Sequence, residues 1–333
     1  MSKSPLREAA VELAWSLWTE LGVPGVARHH RHVVIDPEAV VLWSPAVVVD
    51  DPRLRDLTFA WCASHGGRLS TSRLRALGRR LPESFRRAFA GFARTLGQVS
   101  TVRWPSATGA ADWPPPSEHR DVPLPVGRPS MLRFRLRALA GVGARADTLH
   151  HILAAWPEPL TATEVAAGGY GKRNVSRLMG ELAEAGILTG RRRGNRIEYH
   201  LRSPDLLGRL AAAGAAHDLP WVDLFDLLAR VLDLETSWAG RPEAARRVQA
   251  HKVRLEVTPL AESVGLSSPP VTEGNKDAFP ALLDWAAVEV RMLATGTAPA
   301  LGRRTGWGDG AGSGARDGQG AGDGSGSCLG DGD

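Results

Sequence analysis

A chain of 333 residues is long for one ordinary domain and, at about 100 to 200 residues per domain, suggests two or three. Its 43% hydrophobic and 23% charged content is that of a folded globular protein, which excludes collagen-like, wholly disordered and membrane-embedded classes. The net charge of +5 hides a segregation: residues 68 to 103 carry +8 and residues 172 to 202 carry +5, leaving −8 for the rest. Basic concentrations of this kind point to a polyanionic partner.

The longest apolar stretch, Val33 to Val49, is broken by Asp36, Pro37, Glu38 and Pro45, too often for a spanning helix of about 20 apolar residues. The chain also lacks a basic-then-apolar leader pattern. A soluble, cytoplasmic protein without a membrane partner is therefore expected. The two cysteines, Cys62 and Cys328, can build neither a disulfide framework nor a four-cysteine zinc site.

In chain order, a first helix is expected from Pro5 to Leu21, where Leu6, Ala10, Leu13, Leu17 and Leu21 recur at helical spacing. Asp36-Pro37 and Asp51-Pro52 each place an N-cap residue before a proline in the first helical position. The second pair opens a tri-helical set over 52–65, 70–80 and 82–97, whose last member gathers Phe85, Ala88, Phe89, Phe92 and Leu96 on one face. Arg86, Arg87 and Arg94 fall off that face and, with Arg79 and Arg80, form a candidate secondary basic surface. Two interpretations stand open for it: a degenerate helix-turn-helix, or a solvated face whose arginine stems cover apolar surface. Seven prolines between Trp104 and Pro129 favour extended backbone and mark an interdomain linker at 104–129.

Between Arg145 and Arg202 the pattern becomes more specific. Leu149, Ile152, Leu153 and Trp156 give one helix a buried stripe before Pro157 and Pro159 end it. Thr161-Ala162-Thr163-Glu164 is a capping box that starts a short second helix. Gly168, Gly169 and Gly171 supply the freedom of a tight interhelical turn. In the third helix Val175, Leu178, Met179 and Leu182 share one side, Arg173, Arg177 and Gly180 point almost directly opposite, and Asn174 and Ser176 lie on the shoulders, with Lys172 at the start of the helix. A helix that enters the major groove needs this division. A hairpin follows, with Arg191, Arg192, Arg193 and Arg196 around a Gly194-Asn195 turn and Ile197, Tyr199 and Leu201 alternating with polar residues.

This segment resembles the winged helix-turn-helix regulators of bacteria, of the MarR and ArsR kind. The resemblance implies that Arg173, Asn174, Ser176 and Arg177 face the groove and that Arg191, Arg192, Arg193 and Arg196 meet phosphates, with Lys172 beside them. The flanking regions are similar to proteins paired with abortive-infection nucleotidyltransferase toxins. Winged helices also serve as protein-interaction modules, so an antitoxin-like role, in which the helical flanks bind an enzyme partner, stands as the alternative to sequence-specific binding of duplex DNA by a transcriptional regulator.

Beyond the hairpin, helical patterns recur at 204–216, 220–236, 242–254 and 277–294, the last carried by Phe279, Leu282, Leu283, Ala286, Val290 and Leu293. Thirteen glycines among residues 302 to 333 cannot bury enough apolar surface to order a tail. The expected architecture is mainly α. It comprises a helical N-terminal domain (1–103), the linker (104–129), a winged helix-turn-helix (130–202), a helical C-terminal region (203–296) open to dimerisation or partner contact, and a disordered tail (297–333). His29, His30 and His32, and likewise His150 with His151, lack neighbouring carboxylate or thiolate ligands in the sequence and are expected to pack or be solvated rather than bind metal. No nucleotide loop, G-x-S-x-G or H-E-x-x-H motif supports an enzyme or a cofactor.

Overall fold

The computed structural model describes residues 4–105, 113–114, 122–203, 217–272 and 278–296. The expected helix at 204–216 and the glycine-rich tail lie outside them. The protein is mainly helical, as its periodicities require. Ser4, Asp36 and Asp51 each accept a hydrogen bond from the backbone amide three residues on, and each precedes a proline. They start α1 (Pro5–Glu20), α2 (Pro37–Trp43) and α4 (Pro52–His65), with the single-turn α3 (Pro45–Val48) between. The tri-helical set continues through α5 (Thr71–Gly78) and α6 (Glu83–Val99), whose Phe85, Phe89, Phe92 and Leu96 are buried.

Beyond the winged helix, α11 (Trp221–Trp238), α12 (Glu243–Val264) and α13 (Ala278–Ala294) return to the same body. The described residues of 4–103 and 217–296 share one core: α13 lies along α1, and α11 reaches both α2 and α12. Trp43 stacks on Phe225 with ring centroids 4.7 Å apart. Trp18 and Trp61, edge to face at 5.3 Å, donate to Ser44 Oγ and the Leu21 carbonyl, each at 2.8 Å. These bonds allow buried indoles to keep their polar ends satisfied. A periodic stripe identifies the face a helix buries but not its partner, so the joining of the two ends of the chain could not be read from spacing.

The proline-rich segment is seated on this body where it is described. Trp104, Trp113 and Val122 are buried in the shared core. Trp113 exchanges hydrogen bonds with Thr95 Oγ1 at 3.2 and 3.3 Å. Gly22, at φ +110°, leaves room for the Pro123 carbonyl, which a Cβ would meet at 2.0 Å. Arg128 donates to the Thr19 and Glu20 carbonyls at 2.6 and 2.8 Å.

The second core belongs to the winged helix: α7 (Leu132–Ala140), α8 (Ala144–Ala155), α9 (Ala162–Ala166), α10 (Lys172–Glu184) and an antiparallel sheet of β2 (Leu160–Thr161), β3 (Leu188–Arg193) and β4 (Arg196–Leu201) in the order β2-β4-β3. A parallel pair, β1 (Val33–Val34) with β5 (His217–Asp218), lies between the bodies, and Val34 contributes to the second core. No described helix is long and apolar enough to cross a membrane.

Two measurements test the shared core. Leu293→Ala on α13, where Leu293 is 2% exposed, should cost about 2 to 5 kcal/mol. Helix content and tryptophan fluorescence should then be lost in one coincident transition; separate transitions would contradict one core. His30, also buried, has Nδ1 2.7 Å from Ser16 Oγ, and burial drives its pKa down from 6.5 to about 4. The unfolded chain therefore takes up this proton first as pH falls, so the stability His30 confers is present above pH 6.5 and is lost toward pH 4. Urea unfolding should show a loss of up to about 3 kcal/mol across that window, and His30→Gln should flatten it.

Candidate nucleic-acid interface

The geometry of the recognition element follows from its local chemistry. Leu149, Ile152 and Leu153 of α8 are buried, with Trp156 partly so. The capping box that opens α9 is formed: Glu164 N donates to Thr161 Oγ1 at 3.4 Å, and Thr161 N donates to Glu164 Oε2 at 2.7 Å. The chain then turns through Gly169 at φ +106°, where a Cβ would come 3.1 Å from both Arg73 Cγ and Leu77 Cδ2 of α5. Only glycine permits both that conformation and the close approach of the body.

Along α10, Val175, Leu178, Met179 and Leu182 are buried against the module's core, while Arg173, Asn174, Ser176 and Arg177 are exposed away from it and Lys172 is exposed at the start of the helix. The N-cap Gly171 has no capping side chain, so first-turn amides stay open to an anion.

The hairpin pairs Leu188 with Leu201 through to Arg193 with Arg196, and Gly194 at φ +61° makes its tip. Strand alternation divides its cations. Arg191, Arg193 and Arg196 share the outer face, whereas Arg192 lies with Ile197 on the face that carries Tyr199 and Leu201 into the core. That apolar face ends early: Ile197 is 48% exposed, beyond the reach of the helices.

The cations differ in how they are held. Arg177 is ion-paired with Glu181 and donates to Asn174 Oδ1 at 3.1 Å, while Arg145 also donates to Glu181 at 2.6 Å. Arg193 lies 3.6 Å from Glu198, and Arg192 donates to the Gly194 carbonyl at 3.3 Å. Lys172, Arg173, Arg191 and Arg196 have no ion pair among the described residues.

The secondary basic set does not form one patch. Arg79 is exposed, but Arg80 donates to Asp223 of α11 at 2.5 Å, Arg86 and Arg87 share Glu83, and Arg94 is partly buried. Arg73, counted in the same basic stretch, is fully buried. The +8 of this stretch is therefore not all available at the surface, because acids remote in the chain neutralise part of it.

Arg73 belongs to a buried ionic cluster joining the module to the body. Asp36 binds Arg73 at 2.5 and 2.6 Å, Glu38 binds Arg73 at 2.9 Å and Arg137 at 2.8 Å, and Asp147 binds Arg137 at 3.1 Å and Arg133 at 3.3 Å. The Tyr170 hydroxyl donates to Asp147 at 2.5 Å, and Arg73 Nε donates to the Gly168 carbonyl at 2.6 Å. Burial pushes the Asp36 and Asp147 carboxyls up, but the facing guanidiniums, Arg73 first for Asp36 and Arg137 first for Asp147, outweigh it and hold both below the ordinary range. Sequence patterning missed this cluster. Its signals were Arg133 and Arg137 one turn apart on α7 and Asp147 inside an apolar helix, neither of which identifies a partner.

No family model matches the chain, and no curated protein or solved structure is significantly similar to it.

Removing one partner from the cluster leaves a buried charge uncompensated. Asp147→Asn should cost about 3 to 5 kcal/mol in urea unfolding, and Tyr170→Phe, which loses one bond to a charged group, about 1.5 to 3 kcal/mol. Wild-type stability in Asp147→Asn would show that the cluster does not hold the module.

Proposed function

We propose that the chain is a sequence-specific duplex-DNA-binding protein acting as a transcriptional regulator, with α10 in the major groove and the β3–β4 wing on the flanking backbone. The observation that carries this is the joint exposure of Arg173, Asn174 and Ser176 away from the buried face of a helix, with Lys172 exposed at its start, next to an arginine-tipped hairpin. Short polar and guanidinium side chains on a helix are the groups that read base edges, and wing arginines meet phosphates. Arg173 has no acidic partner among the described residues, so it can engage a guanine edge without first breaking an ion pair. Arg177 would have to give up Glu181. A cytoplasmic location fits this role.

The alternative, an antitoxin-like interaction protein whose helical flanks hold an enzyme, gains no specific observation over this one, because the described flanks are folded against each other in one core.

Retention on duplex DNA should fall steeply with salt, with a log–log slope near −4 to −5 for about 4 to 6 phosphate contacts. Arg173→Ala should narrow the gap between specific and random DNA, whereas Arg192→Ala should weaken both alike. No binding at low salt, or a uniform loss in both variants, would overturn the proposal or its assignment of the reading face.

A further inference from the structure

We infer that His150, His151 and Asp218 form a binding site for one divalent transition-metal ion of the zinc class, which ties the winged helix to the helical body. This inference does not depend on DNA binding. His150 and His151 are consecutive on α8, and Asp218 comes from β5. One potential ligand atom from each lies within 4.8 Å of the others. His150 Nε2 and Asp218 Oδ1 are 3.5 Å apart, near the ~3.3 Å expected of two tetrahedral ligands with metal bonds of about 2.0 to 2.1 Å. The carboxylate that the two histidines lack in their own stretch of sequence is supplied by the fold.

The donor atoms are not otherwise used. Both ring nitrogens of His150, Nε2 of His151 and Oδ1 of Asp218 are buried atoms with no hydrogen-bond partner among the described residues, and His150 is 0% exposed. Two buried imidazoles and a carboxylate oxygen left in this state are costly unless something occupies the space between them. Gly168 leaves His151 Nε2 uncrowded, since a Cβ there would lie 2.5 Å from it.

The charge balance agrees. Arg73, Arg133 and Arg137 are matched by Asp36, Glu38 and Asp147. Arg133 acts electrostatically on Asp218, but its ion pairs are to Asp147 at 3.3 Å and Asp36 at 3.7 Å. Asp218 is thus the additional carboxylate, and burial raises its pKa to about 6. His151 and Asp218 are only partly buried as residues, although their ligating atoms are covered, which places the site just beneath the surface. Two imidazoles and one carboxylate suit zinc-class ions better than calcium or magnesium, which prefer all-oxygen shells.

The test uses the full chain stripped with chelator, titrated with zinc and separately with cobalt as a spectroscopic probe. One equivalent should bind and raise the thermal midpoint, since the ion would bind the folded site preferentially. Asp218→Asn and His151→Gln should each weaken zinc by at least about tenfold while the metal-free circular dichroism spectrum stays native. Cobalt bound at this site should show no thiolate charge-transfer band. If both variants fail to fold, Gly168→Ala, which keeps all three ligands, becomes the deciding variant and should weaken zinc by crowding His151 Nε2. Absence of zinc binding by the wild-type chain would overturn the site. So would unchanged affinity in the folded ligand variants, which would place the ion elsewhere, as at His29 and His32, or unchanged affinity in Gly168→Ala where that variant decides.

Discussion

The arrangement of this protein depends on three arginines and three carboxylates buried where the winged helix meets the helical body. Asp36 and Glu38 come from the start of α2, Arg73 from α5, Arg133 and Arg137 from α7, and Asp147 from α8. Taking such charges out of water costs several kcal/mol each, a cost their mutual attraction offsets only with good geometry. The bidentate Asp36–Arg73 pair at 2.5 and 2.6 Å and the hydrogen bonds from Tyr170 and to the Gly168 carbonyl supply that geometry. An apolar contact of the same area would tolerate sliding. A cluster in which every member has fixed partners has one low-energy docking, so its contribution is orientation more than net stability.

What the sequence revealed of this fold was local. Caps, prolines and 3.6-residue stripes depend on neighbours within a few positions, and they located α1, α2, α4, α6, α8, α10 and the hairpin turn. The union of α1 with α13 depends on residues at opposite ends of the chain, which local periodicity cannot encode. Arg73 shows the same limit for charge. In sequence it is one of a run of arginines, and its carboxylates arrive from Asp36 and Glu38 only once α2 and α5 pack. Ile197 fails in the opposite direction: strand alternation assigns it to the buried face, but the sheet extends past the helices that would cover it. Of the candidate interface, α10 and the β3–β4 hairpin were readable because amphipathicity and turn chemistry define them. The pairing of Arg177 with Glu181 needed only helical spacing, one turn apart.

Docking and surface chemistry meet at the interhelical turn. Gly168 gives its carbonyl to Arg73, and Gly169 lets α5 approach, so the turn that aims α10 is held by the body as well as by its own module. A side chain at Gly169 would meet α5 and so disturb both the aim of the helix and its seating. Glycine is needed here for an approach between elements in addition to a local backbone angle.

Arginine therefore has two opposed uses in this chain, and composition cannot separate them. Arg73, Arg133 and Arg137 are buried and ion-paired with acids, so their charge is spent internally and their planar donors fix geometry. Arg173, Arg191 and Arg196 are exposed without acidic partners among the described residues, so their charge remains available to an external anion. The −8 that balances the two basic stretches is in part the counter-charge of the first group: Asp36, Glu38 and Asp147 all lie outside both stretches. Three arginines and three carboxylates cancel, so burying them leaves the net charge of +5 with the rest of the chain, and the positive character of α10 and the wing comes from their own residues, which carry +5 over 172 to 202. The buried cluster fixes where that basic face points, whereas the charge of the face is set by the residues of α10 and the wing themselves.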